Sequence, residues 1–179
     1  MKIFLVGFMG CGKTTLGSLL AQRLGWSFID LDREIEERTG KSIPEIFRQE
    51  GEAAFRRLEA EALRGLETLD RAVVSTGGGA PCFHHNMDWM NQQGRTVFLH
   101  LDPETLAARL APQTAHRPLL QGLEGGELPA FIHRRLEERL PFYRKAHLQL
   151  DARKPPEILG EEILSWILSK ENSPKKGHK

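Results

Sequence analysis

The sequence predicts an α/β domain built on a largely parallel sheet with helices on both faces. Two observations carry that prediction. Short aliphatic or β-branched runs alternate with longer amphipathic segments along the 179-residue chain, and a glycine-rich run joins the first such strand directly to the first helix. Strands joined by crossover helices lie parallel, and the helices then cover the sheet they connect. The length suits one domain with a sizeable core, expected over residues 1–169, and is too short for two large ones.

KIFLVG at 2–7 is the first strand; it is apolar but short and runs straight into glycines, so it reads as a buried strand and not as a signal peptide. TTLGSLLAQRL follows with a helical pattern, and SFIDL at 27–31 is the second strand. About forty residues then precede the third strand, more than one crossover helix requires. Ser42, Ile43, Pro44 and Glu45 fit a capping box with proline in the first turn of a short helix through Gln49, which Gly51 breaks. A second helix carries Ala54, Leu58, Ala62 and Leu66 on one stripe. The pair reads as a helical insertion, about 33–64, able to cover a substrate. AVVST at 72–76, TVFLHL at 96–101 and HLQLD at 147–151 complete the strands. The irregular segment 111–127, with two prolines and three glycines, is long enough for a mobile lid over about 111–125. The polar, basic tail at 170–179 offers nothing to bury and is expected to be disordered.

Lysine and arginine number 25 against 24 acidic residues, so no overall basic field draws the chain to nucleic acid or an anionic membrane. No apolar stretch approaches the roughly 20 residues that span a bilayer. The two cysteines, Cys11 and Cys82, lie far apart with no CxxC pair, which favours a reducing cytosolic home. Seven histidines show no HExxH or HxxxH spacing, which argues against a histidine metal site.

Gly7 to Thr14, GFMGCGKT, satisfy GxxxxGK[ST] in the strand–loop–helix context that motif requires. Glycines let backbone N–H groups wrap phosphate oxygens, and the helix N-terminus adds partial positive charge. Gly10, Cys11, Gly12, Lys13, Thr14 and Thr15 are therefore expected against a nucleoside triphosphate. Lys13 would reach the β- and γ-phosphates, and the Thr14 hydroxyl would ligate Mg²⁺. No NKxD-type guanine-reading segment is present, and the chain is too compact for a motor ATPase, which leaves a small-molecule kinase in front.

GFMGCGKTT, FIDLD, FRRLE at 55–59, STGGG at 75–79, RPLL at 117–120 and RLPFY at 139–143 occur in the order and approximate spacing of shikimate kinases, which the chain resembles from about residue 1 to 168. The resemblance implies a three-layer α/β/α P-loop kinase similar to the nucleoside monophosphate kinases, with five parallel strands in the order 2-3-1-4-5. It also implies a monomer that transfers the ATP γ-phosphate to the 3-hydroxyl of shikimate. With no transit peptide in sight, the bacterial cytoplasm is the expected location.

By that resemblance Arg56 and Arg139 would clamp the shikimate carboxylate, as planar forked donors suit such an anion. Gly77, Gly78 and Gly79 would bring backbone against shikimate, with Phe47 and Phe55 as apolar walls. Arg117, in the lid, would swing over the transferring phosphoryl group. Arg109, Lys154 and Pro155 are the expected adenine neighbours, although Arg109 stands one position before the usual place of the family's basic residue. Glu52, Glu59 and Glu61 read as a solvated helix face, Glu59 also being placed to orient Arg56. Asp30 and Asp32, two apart in a strand, should face the same way at the sheet's C-terminal edge, where ligands bind in such sheets. The resemblance gives Asp32 the acceptor hydroxyl and Asp30 the water shell of Mg²⁺.

Overall fold

A computed structural model describes residues 1–112, 118–120 and 126–171. Five strands, β1 Lys2–Val6, β2 Ser27–Asp30, β3 Ala72–Ser75, β4 Arg95–His100 and β5 Leu148–Asp151, form one sheet in the order β2-β3-β1-β4-β5. Every pairing is parallel; Leu5 stands opposite Ser75 on one side and Val97 on the other. The expected topology is therefore present.

The central strands are apolar through their middles, with polar residues at their ends, because helices cover both of their faces. Ile3, Phe4, Leu5, Val6, Val73, Val74 and Val97 are fully buried. The edge strands β2 and β5 are only partly covered. Around the sheet lie α1 Lys13–Leu24, α2 Leu31–Thr39, α3 Ile43–Gly65, α4 Asn86–Gln93, α5 Pro103–Leu110, α6 Glu127–Tyr143 and α7 Pro156–Glu171.

The helical insertion is α2 and α3 packed on each other. Ser42 caps α3 as a capping box: its hydroxyl accepts from the Glu45 N–H while the Glu45 carboxylate accepts from the Ser42 N–H. Gly51, at φ 81° and ψ 171°, breaks the helical path and divides α3 into two rods. No neighbour crowds that position, so the left-handed backbone, and not packing, requires glycine.

Each strand differs from the sequence reading by one residue at one end or both, and two of the boundary differences matter. Leu31 belongs to α2 and not to β2, and α7 continues to Glu171, into the stretch expected as tail. Residues 172–179 lie outside the described residues, as do 113–117 and 121–125, which hold most of the expected lid. Within it, Pro118–Leu120 is a single 3-10 turn with Leu120 buried.

Candidate active site

The phosphate loop leaves the C-terminal end of β1 and closes on α1. Gly7, Gly10 and Gly12 hold φ values of 146°, 80° and 99°, and Gly12 caps α1 without any side-chain bond. No side chain caps the amides at this helix start, in keeping with an anion site. Lys13 is buried and donates from Nζ to the carbonyls of Gly7 and Phe8, both at 2.9 Å. A cavity of about 320 Å³ opens over this loop, lined also by Thr14, Thr15, Asp30, Asp32, Ser75 and Thr76.

The two aspartates converge, but not by strand alternation. Asp30 ends β2 and caps α2, its Oδ1 accepting from the N–H groups of Asp32 and Arg33 at 3.2 and 3.5 Å. Asp32 is already in the first turn of that helix. The N-cap of α2 is therefore Asp30. Its other oxygen accepts from the Thr14 hydroxyl at 2.8 Å, and Ser75 Oγ stands 3.4 Å from the same hydroxyl. This all-oxygen donor set suits a hard cation such as Mg²⁺, which takes one or two carboxylates and completes its shell with phosphates and waters. No cluster of three or more His, Cys, Asp or Glu side chains that could hold a metal occurs among the described residues.

A second, smaller cavity of about 90 Å³ abuts the first, and Met9, Asp32, Gly77 and Gly78 line both. Its smaller size and its mixed apolar and charged lining suit a small-molecule ring better than a nucleotide. Phe47 and Phe55, with ring centroids 4.8 Å apart, form an apolar wall with Ile43. Leu119, from the described piece of the expected lid, completes it.

The opposite wall is charged. Arg56 and Arg139 are buried, at 4% and 6% exposure, and Glu59 is sealed at 1%. Arg56 donates from Nη1 to Glu59 at 2.5 Å, and from Nη2 and Nε to Glu52 at 2.8 and 3.2 Å. Its guanidinium also lies between the rings of Phe55 and Phe83, 5.1 and 4.7 Å from their centroids. Arg139 stacks over Phe8 at 5.2 Å, and its Nη1 has no hydrogen-bond partner among the described residues. A buried cation with an unspent donor is costly unless an anion meets it, so the Nη1 of Arg139 suits an anionic group, whereas each nitrogen of Arg56 already donates to Glu59 or Glu52.

Burial pushes the Glu59 carboxyl up to about 7, with Arg56 pulling down and Asp32 adding to the rise. The expectation of a solvated acidic face is therefore wrong for Glu59; the turn of α3 that buries Arg56 buries its i+3 neighbour with it. Arg57 is exposed, one position round the helix.

The three glycines serve the arginine wall as well as the cavity. A Cβ on Gly79 would stand 2.5–2.6 Å from the Arg56 guanidinium, so glycine is what lets loop and arginine meet. Ser75, Thr76, Met9 and Tyr143 were not singled out by the sequence. Tyr143 had a readable signal, since i, i+4 spacing places it on the Arg139 face of a helix.

Some of the residues expected at the nucleotide lie outside the two cavities. Cys11 is buried and lines neither cavity; its Sγ sits 3.7 Å from Lys13 Nζ. Arg109 is exposed, with Nη1 3.4 Å from the Gly10 carbonyl. Lys154 pairs with Glu162 at 2.5 Å beside an exposed Pro155, and these three residues line neither cavity. Arg117 falls outside the described residues.

The family model described as shikimate kinase matches residues 9–169. A curated shikimate kinase of Bacteroides thetaiotaomicron is 49% identical over 85% of this chain and 87% of its own length. One from Moorella thermoacetica is 44% identical over 94% and 97%. Among solved structures, the Acinetobacter baumannii shikimate kinase in complex with shikimate aligns at TM-score 0.88 and 38% identity, over 96% of this chain and 95% of that one. A gluconokinase of Sinorhizobium meliloti aligns at TM-score 0.60 with 18% identity, a likeness of fold alone. With the motif order, the sheet order and a paired-arginine cavity beside the phosphate loop all in agreement, the chain belongs to the shikimate kinase family.

Proposed function

We propose that this chain transfers the γ-phosphate of ATP to the 3-hydroxyl of shikimate, giving shikimate 3-phosphate and ADP in aromatic amino-acid biosynthesis. The observation that carries this reading is the shared wall of the two cavities. Asp32 lies where a phosphate-binding space meets a small space with buried arginines, so donor and acceptor would face each other across it.

In this reading Arg56 and Arg139 bind the shikimate carboxylate, while Phe47 and Phe55 hold the ring. Glu59 and Glu52 fix the Arg56 fork before substrate arrives, which reduces the ordering cost of binding. Asp32 accepts the hydrogen bond of the 3-hydroxyl and orients or deprotonates it. Lys13 and the amides of Gly10, Gly12, Thr14 and Thr15 hold the phosphates in line. Thr14 would ligate Mg²⁺ directly and Asp30 through water; the ion would neutralise charge on the β- and γ-phosphate oxygens. Arg117 would add positive charge at the phosphoryl group, with Arg109, Lys154 and Pro155 near the adenine. The protein would act as a cytoplasmic monomer; no helix among the described residues is long and apolar enough to cross a membrane.

A coupled assay with ATP, Mg²⁺ and shikimate tests the reading. ADP release that depends on shikimate is expected, and phosphorylation of gluconate or a nucleoside monophosphate in its place would overturn it.

A further inference from the structure

Gly77, Gly78 and Gly79 line the acceptor cavity but have no side chains with which to hold themselves there. Their positions depend on their carbonyls. The Gly77 carbonyl accepts from the Ala80 N–H at 3.1 Å and the Gly79 carbonyl from the Cys82 N–H at 2.9 Å, both within the same short turn. The Gly78 carbonyl is different: it accepts from the Tyr143 hydroxyl at 2.5 Å, across 65 residues of sequence. Tyr143 is fully buried at the end of α6, one turn beyond Arg139, and its ring packs on Phe98 at 5.1 Å. Burial pushes its phenol well above the usual range, so the hydroxyl keeps its proton and donates.

We infer that Tyr143 is a positioning residue for the acceptor site: through the Gly78 carbonyl it fixes the glycine loop in register with Arg139 on its own helix. A trans peptide carries C=O and N–H on opposite sides. With the Gly78 oxygen anchored on Tyr143, the Gly79 N–H is set on the other side of that peptide. Gly78 is also where the two cavities join; a Cβ there would lie 3.1 Å from the Met9 nitrogen and 3.5 Å from Arg139 Nη1. One hydroxyl therefore sets the spacing between the arginine wall and the phosphate loop.

The inference rests on the shikimate kinase reading, and wild-type activity separates the two: a chain with no shikimate-dependent turnover refutes that reading itself. Given activity, Tyr143→Phe keeps the ring and removes the donor. The KM for shikimate should rise about tenfold, as expected for leaving a buried acceptor unpaired, with the KM for ATP changed less than twofold. Phe98→Leu perturbs the same ring packing without touching the hydroxyl, and should lower Tm with little change in either KM. A shikimate KM unchanged in Tyr143→Phe, or raised equally in Phe98→Leu, would overturn the inference.

A second measurement needs no destabilising variant. Tyr143 is the chain's single tyrosine, so growth on 3-fluorotyrosine gives one ¹⁹F resonance. Saturating shikimate should move it by more than its linewidth, and ADP with Mg²⁺ should move it less. A resonance that shikimate leaves in place, in enzyme that turns shikimate over, would also overturn the inference.

Discussion

The phosphate loop and the acceptor cavity touch at Gly78, yet they are made of different materials. The loop is backbone: three glycines at positive φ and a helix start whose cap carries no side-chain bond. Even its lysine is held by two carbonyls. The cavity is walled mainly by side chains drawn from α2, α3 and α6, against glycine backbone of the loop after β3, and its charged wall is buried. Backbone recognition needs particular conformations, and so fixes residue type at fixed spacing. Side-chain recognition needs charges held out of water, and so depends on partners that lie far apart in sequence.

Four measurements test that difference. The largest effect belongs where the two regions meet: Asp32→Asn should lower kcat by on the order of 10²- to 10⁴-fold while ATP still binds. Asp30→Asn, on the loop side, should mainly raise the Mg²⁺ needed for half-maximal rate; equal Mg²⁺ dependence in both variants would merge roles that the structure separates.

Next comes Arg56→Ala, which strands Glu59 in the interior. Loss of one partner of a buried pair costs about 3 kcal/mol or more, so chemical denaturation should show a clear drop in stability together with weakened shikimate binding. A variant that loses shikimate binding at unchanged stability would place Arg56 outside the structural wall.

Two glycine variants then contrast the materials directly. Gly79→Ala drives a methyl into the Arg56 guanidinium, and should raise the KM for shikimate about tenfold, equivalent to the loss of about one well-made charged hydrogen bond. Gly12→Ala meets no neighbour within 4 Å but must hold φ 99°, a strain of about 1–3 kcal/mol that should fall on stability and the KM for ATP. An exchange of the two KM effects would contradict the division.

The smallest effect is a pH dependence. Glu59 binds its proton more tightly folded, with a pKa of about 7, than in the ordinary carboxylate range. The folded state then holds more protons than the unfolded state between about pH 4.5 and 7, so this group's contribution to stability falls as pH rises through that window. Glu59→Gln removes the dependence. The Tm of the variant relative to wild type should increase from pH 4.5 to 7 and level off above it.

The same contrast governs what the sequence reveals. The alternation of strands and helices, the capping box at Ser42, the break at Gly51 and the loop glycines all follow from local backbone demands, and each was legible. Arg56 and Arg139 are 83 positions apart. Only the family motifs brought them together, because no local rule distinguishes a buried arginine from a solvated one. Glu59 was misread as solvated for the same reason. The Asp30 cap was missed because the strand ends one residue earlier than its apolar pattern suggests. That single residue makes Asp30 the cap and puts Asp32 in the first turn of the helix.

The break at Gly51 has an evolutionary consequence. Ile43 and Phe47 stand on the first rod of α3, while Phe55, Arg56 and Glu59 stand on the second. Half of the hydrocarbon wall can therefore vary in shape through changes over residues 43–50 without re-registering the ion pairs beyond. The shape of the acceptor space and the charge it selects are separately inheritable traits, carried by consecutive segments of one chain.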